Sequence, residues 1–89
     1  RLLDVVTRAE WPLVHDSVIG RDSACTIHLD DPSVSSRHAR ITIVHGYPFI
    51  TNLGSTNGTP VNRDLIDTPH PLATGDLITI GTASVEARP

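Results

Sequence analysis

The residues best suited to chemistry in this sequence are the hydroxyl, guanidinium and imidazole groups between Ser33 and His38. Ser33, Ser35 and Ser36 each offer one hydroxyl donor, and Arg37 offers a planar fork of donors that matches the oxygens of a carboxylate or a phosphate. Donors spaced this closely suit a dianion better than a neutral ligand. An ordinary solvated turn has the same residue types, so this stretch alone leaves both interpretations open.

Two further polar segments, one on each side of this stretch, suit the same anion. Gly20 and Arg21 come before it, and residues 52–62, which are rich in Gly and short polar side chains, come after it. The loops at one end of a β-sandwich gather in space, so segments distant in sequence can form one site. The sequence therefore predicts that the segments around positions 21, 35 and 56 meet at an anion site.

Composition restricts the class of protein. The 89 residues suffice for one domain with a modest core, and a formal charge of −3 argues against a general nucleic-acid or anionic-membrane surface. Every basic residue is Arg, so lysine chemistry is excluded. Cys25 is the only cysteine, which excludes an intrachain disulfide and a thiolate metal cluster and favours a reducing compartment, the cytoplasm. No cofactor and no metal are expected.

The chain is expected to be a single domain, residues 1–89, taken from a longer protein, since it begins at Arg1 and contains no Met. No apolar run approaches the roughly 18 residues of a membrane span, and no signal peptide is recognisable. We therefore predict a soluble segment that does not insert into a membrane.

Short apolar alternations bounded by turn residues predict strands along the whole chain. These strands are predicted at 2–6, 11–14, 16–20, 26–29, 38–45, 49–53, 59–62, 77–80 and 83–87. A turn is predicted at 30–33, a hairpin loop at Gly81-Thr82, and an irregular segment at 67–72 because of its two prolines. No stretch has a helical period. About ten short strands predict an all-β, antiparallel sandwich or barrel with a core of Ile, Val, Leu and Ala.

Three blocks of the sequence resemble the signature of the forkhead-associated (FHA) domain. They are Gly20-Arg21, Ser35-x-x-His38 and Gly54-Ser55-Thr56-Asn57-Gly58-Thr59-x-Val61-Asn62, in the family's order. The resemblance runs from Val18 to Val85, most of the chain. It implies an antiparallel β-sandwich of about eleven short strands, with the binding loops clustered at one end. It also implies that these loops bind phosphothreonine in a partner protein.

The resemblance implies a role for each matched residue. Phosphate contacts are implied for Arg21, Ser35, Ser36 and Arg37, and contacts to the peptide backbone for Thr56 and Asn57. A loop-structuring role is implied for Gly20, His38, Ser55, Gly58 and Asn62. The chemistry agrees, because phosphothreonine has about −1.5 to −2 charges and three acceptor oxygens, which Arg and Ser donors can satisfy. The sequence departs from the family's pattern at Arg63, since the family often has Gly directly after the Asn that matches Asn62.

The function implied is phosphothreonine-dependent peptide or protein binding in Ser/Thr kinase signalling, with the kinase or its substrate as partner. Abundant Arg without Lys favours a bacterial source. The alternative is a β-sandwich that binds proteins without phosphate, but FHA-like domains of that kind usually lack the Arg or the Ser, and both are present here.

Three other classes of function are disfavoured by the sequence. A serine hydrolase needs a nucleophile, a histidine and a carboxylate, and Ser35, His38 and Asp31 offer these groups, but their order does not fit. Residues 54–58 also do not form a G-x-S-x-G elbow, and no strand-to-helix turn is predicted that could display one. The histidines lack the spacing of metal ligands. An oligonucleotide-binding barrel needs aromatic platforms and a basic groove, whereas this chain has one Trp, one Tyr and one Phe.

Overall fold

Each short apolar alternation of the chain becomes a β-strand, and a Gly, Pro, Asn or Asp stands in most of the turns between them. A computed structural model describes residues 1–89 and contains eleven strands and no helix. The strands are Leu2–Asp4 (β1), Glu10–Trp11 (β2), Ser17–Gly20 (β3), Ile27–His28 (β4), Ala39–Val44 (β5), Tyr47–Asn52 (β6), Pro60–Val61 (β7), Asp64–Leu65 (β8), His70–Pro71 (β9), Leu77–Ile80 (β10) and Ala83–Ala87 (β11).

The strands form two sheets. One has the order β2-β1-β11-β10-β7-β8 and the other β4-β3-β5-β6-β9. Neighbouring strands are antiparallel except β3 and β4, which are parallel, with Ile19 opposite Ile27. Only Ile19 with Ile27 and Gly20 with His28 are paired, so the short loop 21–26 is long enough to return the chain to the start of this parallel pairing. The predicted β-sandwich is confirmed, with that pair as its exception to antiparallel pairing.

The core between the sheets is aliphatic, as predicted. Its buried cluster contains only Ile, Val, Leu and Ala, and Trp11 packs at its margin while Tyr47 is exposed. The cluster is formed by Leu2, Ile19, Ile27, Leu29, Val34, Ala39, Ile41, Ile50, Val61, Leu72, Ile78, Ile80, Val85 and Ala87. A core of branched aliphatic residues fits the inner faces of two packed sheets.

Three strand predictions are wrong at sheet edges. The strand predicted at 11–14 is Glu10–Trp11, because Pro12 has no N–H for the ladder. The segment 67–72 was predicted to be irregular, yet His70–Pro71 pairs with β6, and an outer strand tolerates proline. Strand β8 was not predicted, because two exposed residues show no alternation.

Buried residues fix the loops at one end of the sandwich. Ile19 and Val34 are almost completely buried, and Arg21 and Ser35 follow them closely in the chain. Thr59, at the end of the glycine-rich loop, is also fully buried. The hairpin at Gly81-Thr82, which has the predicted two-residue form with Ile80 opposite Ala83, lies at the same end. The core therefore anchors each of these loops next to a polar residue.

Candidate functional site

Three loops enclose a cleft at this end of the sandwich. The cleft has a volume of about 380 Å³, and no acidic side chain lines it. Its walls are the loop after β3, the loop between β4 and β5 and the loop between β6 and β7. The lining residues are Arg21, Pro32, Ser33, Val34, Ser35, Ser36, Thr56 and Asn57. The predicted meeting of the segments around 21, 35 and 56 is therefore found in the structure.

The loop after β3 is joined to the serine-rich loop, which is the loop between β4 and β5, through backbone hydrogen bonds. The amides of Arg21 and Asp22 donate to the carbonyls of Ser35 and Ser36, over 3.0 and 3.2 Å. Gly20 allows this close approach, since a Cβ there would lie 2.1 Å from the Ser36 carbonyl oxygen. The Cys25 thiol also donates to that oxygen, at 3.3 Å. The guanidinium of Arg21 is thus held at the cleft by its own backbone.

His38 is fully buried and connects the loops from inside. Its Nδ1 accepts a hydrogen bond from the amide of Ser35 at 3.1 Å, and its Nε2 lies 2.9 Å from the carbonyl oxygen of Gly58. An amide only donates and a carbonyl only accepts, so the ring is neutral with its proton on Nε2. Both nitrogens are occupied by the backbone, and the ring does not line the cleft. His38 is therefore placed as a support for two loops, not as a ligand contact.

The three serine hydroxyls of the cleft differ in what they can donate. The Ser33 hydroxyl donates to the carboxylate of Asp31 at 2.6 Å, so its hydrogen is already used. The Ser35 hydroxyl accepts from the amide of Thr56 at 3.3 Å and keeps its hydrogen free. Ser36 is exposed and its hydroxyl has no partner within the domain. Two free hydroxyl donors, Ser35 and Ser36, therefore stand in the cleft.

The glycine-rich loop is braced by the side chain of Asn52, at the end of β6. Its Oδ1 accepts from the hydroxyls of Ser55 at 2.6 Å and Thr59 at 2.9 Å. Gly58 has a φ of +76°, and a Cβ there would lie 2.6 Å from the Leu65 side chain. This shape leaves the side chains of Thr56 and Asn57 exposed at the cleft.

Asn62 lies away from the cleft, in the turn between β7 and β8. Its Oδ1 accepts from the amide of Leu77 at 3.0 Å, and its Nδ2 donates to Asp76 at 2.9 Å. Leu77 begins β10, whereas the hairpin beside the cleft follows the other end of that strand. Asn62 and Arg63 both have positive φ, 50° and 74°, so Arg63 occupies the conformation that Gly adopts more easily.

The basic residues at this end of the sandwich have different surroundings. Arg21 lines the cleft, and no carboxylate forms an ion pair with it. Arg37 is exposed and is not among the lining residues, and Arg40 pairs with Asp16 at 3.2 Å. Arg21 is therefore the one guanidinium in the cleft that is free for an anion.

Sequence reasoning assigned no role at the site to several residues that shape the cleft. Asn52 and Thr59 brace the glycine-rich loop, and Asp31 binds Ser33 and Thr82. The burial of Thr59 was not visible, since a Thr beside a glycine-rich loop looks like a turn residue. The partnership of Asp31 with Thr82 spans 51 positions and has no local signal.

Comparison with known proteins identifies the family. The model of the FHA domain family matches residues 17–81, so the chain belongs to the FHA domain family. The FHA domain-containing protein FhaB of Mycobacterium tuberculosis is 34% identical over 84 residues, which are 94% of this chain and 52% of the relative. The chain thus spans about half the length of this relative. Such relatives agree with the predicted bacterial source.

Solved structures share the fold over almost the whole chain. An FHA domain studied for phosphothreonine-dependent interactions superimposes with a TM-score of 0.90 and 32% identity, covering 99% of this chain and 93% of that one. EmbR of Mycobacterium tuberculosis, in complex with a low-affinity phosphopeptide, has a TM-score of 0.92 and 31% identity, covering 98% of this chain and 23% of that one.

Two further features bear on other classes of function. No three side chains of His, Cys, Asp or Glu are grouped so that they could hold a metal ion. The structure also contains no helix with the length and hydrophobicity that a membrane crossing requires.

Proposed function

We propose that this domain binds phosphothreonine-containing peptides or proteins, and does so only when the threonine is phosphorylated. The observation that carries the proposal is the cleft itself, where the unpaired guanidinium of Arg21 and the free hydroxyls of Ser35 and Ser36 converge without any carboxylate. A group with two negative charges and three acceptor oxygens matches these donors in number and in sign.

The proposal gives each wall of the cleft a separate task. Arg21 and Ser35 hold the phosphate and Ser36 adds a donor, while Arg37 contributes positive potential from outside the cleft. Thr56 and Asn57 hold the peptide backbone, because the amide of Asn57 offers both a donor and an acceptor to a peptide unit. This division is supported by the exposure of these two side chains at the cleft.

The relatives support the same ligand class. One superimposable structure comes from work on phosphothreonine-dependent FHA interactions, and EmbR was solved with a phosphopeptide. We therefore place the domain in Ser/Thr kinase signalling, as a binding module and not an enzyme, with the kinase or its phosphorylated substrate as partner. It would act in the cytoplasm as one domain of a longer protein.

The proposal is tested with a degenerate phosphothreonine peptide library and two arginine variants. The wild-type domain should select a peptide motif from the library, and Arg21→Ala should lose about 2–5 kcal/mol of binding energy, the range for truncating one partner of a buried charge pair. Arg37→Ala is the matched control, which removes the same charge outside the cleft. The binding energy that Arg37→Ala loses should stay below about 1 kcal/mol and disappear at high salt, because exposed charges are screened.

A different result would support the alternative function. If the wild-type domain binds an unphosphorylated library equally well, or if Arg21→Ala costs less than about 1 kcal/mol of binding energy, the cleft is not the binding site. The domain would then bind proteins through another surface, without phosphate.

A further inference from the structure

A hydrogen-bond network centred on Asp31 lies directly behind residues 33–36, which form the serine wall of the cleft. One carboxylate oxygen of Asp31 accepts from the amide of Ser33 at 2.8 Å and from its hydroxyl at 2.6 Å, and the other accepts from the hydroxyl of Thr82 at 2.8 Å. The amide of Thr82 in turn donates to the Ser33 hydroxyl at 2.8 Å. Each donor of the network has a single acceptor, so all four hydrogen bonds can exist together.

This network joins two parts of the chain that are far apart in sequence. Ser33 belongs to the turn that opens the serine-rich loop, and Thr82 belongs to the β10–β11 hairpin, 49 positions later. The two are in close contact, since a Cβ on Gly81 would lie 2.4 Å from the Ser33 hydroxyl. The hairpin therefore supports the loop from outside the sandwich.

The serine wall is held at several points, of which Asp31 supplies the first. Val34 is 1% exposed and anchors the middle of the segment in the core. The carbonyls of Ser35 and Ser36 accept hydrogen bonds from the loop after β3. These anchors hold the backbone that carries Ser35 and Ser36, which spares the ligand the entropy of ordering the loop.

We propose that Asp31 is a positioning residue for phosphopeptide binding, which acts through Ser33 and Thr82 and not by contact with the ligand. This inference rests on the proposed function. The carboxylate itself would repel a dianion, so its presence beside the cleft is explained by the hydrogen bonds that it accepts. The same three donors from Ser33 and Thr82 lower the pKa of Asp31 below its ordinary value.

The proposal is tested with three substitutions that separate charge from position. Asp31→Ala removes both the charge and the network. Asp31→Asn removes the charge but keeps the network, because its oxygen can accept from Ser33 and its NH2 can donate to the Thr82 hydroxyl. Asp30→Ala is the charge-matched control, since Asp30 is exposed and its carboxylate accepts no hydrogen bond in the domain.

The first measurement is affinity for the phosphothreonine peptide selected by the wild-type domain. Asp31→Ala should raise the Kd about fivefold or more, since the loop must be ordered on binding. Asp31→Asn and Asp30→Ala should bind as tightly as wild type or slightly better. Equal affinities of Asp31→Ala and Asp31→Asn would overturn the proposal, because they would show that the hydrogen bonds of Asp31 do not contribute to binding.

Thr82→Val, which keeps the shape of the side chain, gives a second test of the same network. It should weaken binding in the same direction as Asp31→Ala, and the double variant should be no weaker than Asp31→Ala alone, as expected for residues of one network. Full additivity of the two losses would contradict the proposal.

The second measurement is amide hydrogen exchange, which needs no ligand. In Asp31→Ala, the amides of Ser35 and Thr56 should exchange faster than in wild type, although their own acceptors, His38 and Ser35, are unchanged. Unchanged exchange at these two amides would overturn the proposal. If no phosphopeptide binds the wild-type domain, the proposed function fails, and the exchange result still decides whether Asp31 positions the serine wall.

Discussion

Replacing His38 by Ala tests whether this buried ring holds the two sides of the cleft together. The substitution removes the acceptor of the Ser35 amide and the donor to the Gly58 carbonyl. Each buried polar group that loses its partner costs about 1–3 kcal/mol. Ser35 and Gly58 are only partly buried, so water can reach them and reduce the cost. We therefore expect a loss of about 2–4 kcal/mol in the free energy of unfolding.

The assay is thermal unfolding followed by circular dichroism. A loss of this size lowers the Tm of a domain of this length by about 8–30 °C, at about 4–8 °C per kcal/mol. His38→Asn should recover about half of the loss, because its Oδ1 is bonded to Cγ as Nδ1 is in His and can still accept from Ser35. His28→Ala is the control, since His28 is exposed, and its effect should stay within about 0.5 kcal/mol.

Two results would refute this explanation of His38. One is a Tm of His38→Ala within about 2 °C of wild type, which would mean that water replaces both hydrogen bonds at no cost. The other is a Tm of His38→Asn as low as that of His38→Ala, which would remove the role of the Ser35 hydrogen bond.

Four further predictions follow from the site. Gly20→Ala should weaken phosphopeptide binding about tenfold or more, since its Cβ would displace the Ser36 backbone, which amide chemical shifts would detect. Asn57→Ala should weaken binding about tenfold or more in calorimetry, yet leave the Tm unchanged, because the Asn57 side chain makes no hydrogen bond within the domain. Hydrogen bonding by the Ser33 hydroxyl is the largest cause of the lowered pKa of Asp31, so the extra strength that the ionised carboxylate gives these hydrogen bonds stabilises the fold above the ordinary value of 3.8 and is lost as the pH falls through the lowered pKa. The stability difference between wild type and Asp31→Asn, measured by urea unfolding, should therefore be constant at neutral pH and shrink as the pH falls below 3.8; a constant difference down to the acid end would contradict this. Finally, phosphothreonine should bind more than about tenfold tighter than phosphoserine in one peptide, because the methyl group adds about fourfold by burial and also restricts χ1; affinities within threefold would exclude such a preference.

The longer alternations in the sequence were sufficient to predict most of the fold. Strands β10 and β11 were predicted with their observed bounds, and Ala39, Ile41 and Val85 face the core as their alternation requires. Both residues of β8 are exposed and β9 contains a proline, so neither shows an apolar alternation, and both could be found only from their partners across the sheet. The parallel pairing of β3 with β4 is likewise a tertiary property.

The site could be predicted to the level of its loops but not of its hydrogen bonds. The residue types at Arg21, Ser35 and Asn57 indicated an anion site, and these loops do meet in the structure. The sequence could not show which hydroxyls remain free, since that depends on partners such as Thr56 for Ser35. Such partners lie many positions away and are defined only by the folded chain.

The most direct test of the central claim is a pair of calorimetric titrations with one peptide selected from the phosphothreonine library. One titration uses the phosphorylated peptide and the other its unphosphorylated twin, at neutral pH, where the phosphate is mostly dianionic. Micromolar binding of the first and no detectable binding of the second is the predicted result. Equal affinity for both peptides would contradict the assignment of this cleft to a phosphate.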